Sequence, residues 1–72
     1  MKIISAKTIG IKNIHSEKNG KDYLQLHCVY KDENVNGDSV VVIFKEKDNS
    51  IYRIGDNVSF VWANYKPILI DK

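Results

Sequence analysis

Two Asn-Gly dipeptides, Asn19-Gly20 and Asn36-Gly37, bracket a segment of strict alternation, and this bracketing constrains the chain more than any other feature. Asn-Gly supplies the two positive-φ residues of a type I′ turn, whose twist matches the strands on either side. Between the dipeptides Leu24, Leu26, Cys28 and Tyr30 point one way, while Tyr23, Gln25, His27 and Val29 point the other. That is the period of a strand with one buried face. Further turn signals at Gly55-Asp56-Asn57 and Asn64-Tyr65-Lys66-Pro67 divide the rest into short extended pieces. Five strands are expected, over 2–14, 22–31, 38–47, 57–63 and 67–71. No segment sustains helical periodicity over about 11 residues, and Asn49 to Ile54 has room for one 3₁₀ turn at most. The expected class is all-β.

The expected strands differ in character. The fourth sets Val58, Phe60 and Trp62 on one face, with Ser59, Val61 and Ala63 on the other. The third, Val40 to Phe44, is apolar on both faces, so it is central or meets a partner. In the first, Ile9 and Ile11 share one parity while Ile4, Ala6 and Ile14 share the other. Gly10 lies in that break, where a bulge would bend the strand into a barrel corner.

With 72 residues the chain has room for one domain, 1–72, whose sheet edges need hiding. Closure into a small five-stranded antiparallel barrel does this. A long, bent first strand suits an OB-like (oligonucleotide-binding) barrel; the missing helix between strands three and four suits an SH3-like barrel, which is the alternative.

No apolar run approaches the roughly 18–20 residues of a membrane-spanning helix, and the start of the chain lacks the continuous apolar core of a signal peptide. One cysteine, Cys28, has no internal partner, which points to a reducing cytoplasm. Net charge is +2, unevenly spread. Residues 1–31 carry six lysines against Glu17 and Asp22, whereas residues 32–72 carry five basic groups against seven acids. One basic flank on a neutral barrel is a footprint that a polyanion can use.

Catalysis is not expected. There is no Gly-rich phosphate loop, GxSxG, HExxH or CxxC. His27 and Cys28 are strand neighbours with opposed side chains, so they form no nucleophile–base pair. Two histidines and one cysteine show no metal-ligand spacing, and no cofactor is expected. Cys28 reads as a small buried apolar residue. Aromatic and basic residues interleaved on strands are more informative. Single-stranded nucleic acid is held by rings that stack on bases and by cations that track phosphates. Tyr23, His27 and Tyr65 are the candidate stacking residues; Lys7, Lys12, Lys21, Lys45, Lys47 and Arg53 are the candidate phosphate contacts. Phe44, Phe60, Trp62 and Tyr30 are assigned to the core by parity. Val41 and Ile43 are taken as the outer face of strand three and as a dimer seam.

The stretch Ser16-Glu17-Lys18-Asn19-Gly20-Lys21-Asp22-Tyr23, followed by LQLHCVY, resembles the first hairpin of the small single-stranded DNA-binding proteins of filamentous phages. The run from Tyr52 through Val61, then a turn and Ile68-Leu69-Ile70-Asp71-Lys72, is similar to that family's closing hairpin. The resemblance implies an OB-like barrel without the helix and a cytoplasmic homodimer that coats single-stranded DNA without sequence preference. It implies base stacking by Tyr23 and phosphate contact by Lys21. One arginine, where that family uses several, and an acidic second half depart from the pattern.

The expected function is therefore non-specific binding of single-stranded DNA or RNA by a protein of phage or mobile-element type, with no membrane partner. The alternative is a protein-interaction module of the same fold, such as a phage protein that occupies a host or defence protein.

Overall fold

The first strand is the hinge of the architecture. A computed structural model describes residues 2–70 as one antiparallel sheet of five strands: β1 (Ile4–His15), β2 (Asp22–Lys31), β3 (Asp38–Glu46), β4 (Asn57–Ala63) and β5 (Lys66–Leu69). The order is β3-β2-β1-β4-β5. β1 is long enough to serve both halves, pairing with β4 through Ile4–Lys7 and with β2 through Lys7–His15. The edges β3 and β5 curl back into contact, yet the sheet is barrel-like rather than closed. Of the expected fifth strand, Asp71 lies outside the described residues, as does Lys72.

The bend in β1 has the origin its parity break suggested. The β1–β2 register shifts between Thr8 and Gly10, so that Ile9 is an extra residue and half exposed. Ala6 and Thr8 point inward before the bulge, and Ile11 packs on the core after it. One inserted residue thus converts even-numbered inner positions into odd-numbered ones. A Cβ on Gly10 would stand 3.4 Å from the His27 Cβ, so the glycine leaves the near side of the imidazole open.

The turns differ in kind from those expected. Gly20 and Gly37 have positive φ, at 71° and 107°, but Asn19 and Asn36 do not, so neither Asn-Gly forms a type I′ pair. The β1–β2 connection is instead tied by Gly20 N–H donating to Ser16 O and by Asn19 Oδ1 accepting from Lys21 N–H. The two-residue turn with both φ positive is Asn64-Tyr65, at 51° and 63°. The β3–β4 connection is irregular, with no 3₁₀ turn, and docks on β1 through Thr8 N–H to Asp56 O and Gly55 N–H to Thr8 O.

The core comprises Ala6, Leu24, Leu26, Cys28, Val41, Ile43 and Phe60, with Thr8 fully buried beside Cys28. Phe60 is its aromatic hub, meeting Tyr30 edge-on at 5.4 Å and Trp62 at 5.6 Å between ring centroids. Trp62 itself is 44% exposed, because it stands near the end of β4 where only the short β5 flanks it. Phe44, at 60%, lies outside the core altogether. Val41 (5%) and Ile43 (0%) are the inner residues of β3, opposite Cys28 and Leu26, so they cannot form a dimer seam. No helix among the described residues is long and apolar enough to cross a membrane.

Candidate nucleic-acid interface

The registers of β1, β2 and β3 stack the outward side chains into rows. One row is Ile14, Tyr23 and Glu46; the next is Lys12, Gln25 and Phe44; then Gly10, His27 and Val42; then Lys7, Val29 and Val40. Phe44 is therefore diagonal to both Tyr23 and His27, at the roughly 7–8 Å spacing of such neighbours. Three rings share one face with Lys12 beside them. β2 supplies the half-buried Tyr23, Gln25 and His27, and β3 supplies the exposed Phe44.

Hydrogen bonds hold the polar members of this face. Asn19 Nδ2 donates to the Tyr23 hydroxyl at 2.9 Å, and His27 Nε2 donates to Gln25 Oε1 at 2.9 Å. Next to the rings, Lys21 pairs with Glu46 at 3.6 Å, and His15 with Asp22 at 2.6 Å. No carboxylate among the described residues lies within ion-pair distance of Lys7 or Lys12. Their charge is available to a ligand.

Tyr23, His27, Lys7 and Lys12 are thus brought together, with Lys21 at the adjoining hairpin. Lys47 is exposed just past β3, where its N–H donates to Asp22 O and keeps it at that same end. Other candidates are placed elsewhere. Lys45 has the inward parity of Val41 and Ile43; its side chain is only 12% exposed and pairs with Asp48 at 3.1 Å, so it does not serve the face. Arg53 lies on the β3–β4 connection, which docks at the β4 side of β1. Tyr65 is fully exposed on the β4–β5 turn, beyond the start of β1, whereas the β1–β2 turn beside Tyr23 lies beyond its end.

Phe44 is the residue that the alternation of β3 alone misassigned to the core. The connection between Lys31 and Asp38 has an even number of residues, so the even-numbered inner residues of β2 stand opposite odd-numbered residues of β3. Val41 and Ile43 then face inward and Phe44 outward, as observed.

Burial pushes the Cys28 thiol above its ordinary range, outweighing the Thr8 hydrogen bond. The Asp48 carboxyl is held below its usual range by the Ser50 N–H and by Lys45. Among the described residues no group of three His, Cys, Asp or Glu side chains could hold a metal ion. Comparison with known proteins gives no match, whether to a family model, a curated protein or a solved structure.

Proposed function

We propose that the chain binds single-stranded nucleic acid, DNA in the first instance, without base specificity through the outer face of β1, β2 and β3. The observation that carries this is the grouping of Tyr23, His27 and Phe44 on one face beside Lys12, which has no ion-pair partner among the described residues. Rings on a strand surface take bases of any identity because every base has a π-face, and each stacked base contributes about 1–3 kcal/mol. Lys7 and Lys12 would hold phosphates, with Lys21 and Lys47 at the hairpin end. The long bent first strand, shared by both halves of the sheet, suits an OB-like barrel, a fold that presents its second and third strands to oligonucleotides. A reducing cytoplasm, as in a phage-infected cell, goes with the free and buried Cys28.

The test is a titration of labelled oligo-dT against the protein at low and moderate salt, with duplex as control. Single-strand binding that weakens steeply with salt is expected. Absence of binding at low salt removes the proposal.

A second reading rests on the exposed apolar residues of β3. Val40 and Phe44 are more than half exposed on the same side as the half-buried Val42. A protein partner or a second copy of the chain would cover them, and such an apolar contact would respond little to salt.

A further inference from the structure

The outer face does not end at its last row. The β1–β2 ladder stops at Lys7 and Val29; beyond it β1 pairs only with β4, and β2 only with β3. Ile4–Ala6 and Tyr30–Lys31 consequently border an open groove of about 490 Å³ instead of a ladder. Lys7 and Val29 belong to both features, closing the outer face and lining the groove. Tyr30 also lines it, with its ring braced against Phe60.

The charges in the groove are unevenly engaged. Lys2 and Glu33 neutralise one another at 2.6 Å. Lys31 stands across the ladder from Asp38, whose carboxylate also lines the groove, yet neither Lys31 nor Lys7 has a carboxylate within ion-pair distance among the described residues. Two available cations thus flank a channel continuous with the rings.

We propose that this groove is a phosphate-binding continuation of the ring face, so that a single strand lies lengthwise along β2 from Tyr23 to Lys31. The inference rests on the nucleic-acid function proposed above and adds Lys31 and a direction to it. A strand crossing the sheet from β1 to β3 would meet Lys12 and Phe44 but not Lys31. From Tyr23 to Lys31 the strand rises roughly 26 Å. About eight stacked nucleotides at about 3.4 Å each span that distance, so a twelve-nucleotide strand reaches past both ends.

The experiment measures the affinity of dT12 as a function of salt for the unaltered chain, Lys31→Gln and Lys66→Gln. Lys66 is an exposed cation on β5, at the other edge of the sheet, and serves as the control. Each lost phosphate contact reduces the magnitude of the log–log slope by about 0.7. Lys31→Gln is expected to flatten the slope by that amount and to weaken binding several-fold at low salt. Lys66→Gln should leave both unchanged, and all three proteins should melt together. Salt-dependent binding with an unchanged slope in Lys31→Gln overturns the lengthwise track and leaves the ring face standing. Equal loss in both variants reports general charge and also overturns it. No dT12 binding by the unaltered chain removes the track and the proposed function together.

Discussion

Phe44 stands opposite Gln25 on the outer face of the β2–β3 ladder, while Ile43, one residue earlier, stands opposite Leu26 in the core. A one-residue difference along the strand separates a ring available to a ligand from a side chain with no exposure. The contrast makes the two aromatic classes of this protein experimentally separable.

Phe44→Ala should change stability by less than about 1 kcal/mol, because the ring is mostly solvated already. Phe60→Ala removes the hub that meets both Tyr30 and Trp62 and should cost about 3–5 kcal/mol. That is a large share of the roughly 4–11 kcal/mol expected for a chain of this size. Urea unfolding of the two variants checks the contrast. Equal losses would place Phe44 in the core.

Tyr23→Ala should weaken oligo-dT binding roughly five- to 150-fold, the range of one stacked base. Its melting temperature should move little, since the ring is half-buried and its hydroxyl meets only the exposed Asn19. Tyr23→Phe should retain most of the affinity because stacking needs the ring and not the hydroxyl. Anisotropy titrations and thermal melts on both variants decide whether the ring binds or merely packs.

Tyr65→Gly should stabilise the protein by about 0.5–1 kcal/mol. Asn64 and Tyr65 both have positive φ, which disfavours a residue with a side chain, and Tyr65 is fully exposed and loses no packing. The corresponding rise in melting temperature is roughly 2–8 °C. A fall instead would mean that the ring makes a stabilising contact.

Cys28 should resist a thiol reagent at neutral pH until the protein unfolds, and its thiol should add a pH dependence in alkali. Burial raises its folded pKa, so the unfolded state releases the proton first. Stability is fully retained below the ordinary thiol value of 9.0 and falls as pH rises through the interval up to the folded value. Cys28→Ala removes that alkaline component, which denaturant titrations at increasing pH would detect.

Much of this architecture was legible in the residues. The boundaries expected for β2 and β4 coincide with those observed, and Gly10 marked the bulge in β1. Of the candidate residues, Tyr23, His27, Lys7 and Lys12 are brought to one face by the registers. Alternation and turn chemistry are local properties, written within a few residues of one another, so strands and their two sides could be read directly.

Which side faces the core is not local when both are apolar. In β3, Val40, Val42 and Phe44 match Val41 and Ile43 in hydrophobicity, and only pairing with Leu26 and Cys28 selects the inner set. Lys45 follows them inward for the same reason and finds Asp48. Trp62 shares the parity of Phe60 but stands near the strand's end, beside the short β5, and remains partly exposed. Where the chain is extended and where it turns follows from preferences that reside in neighbouring residues. Which surfaces are buried and where the sheet stays open follows from packing, because burial depends on what residues distant in the chain bring against them.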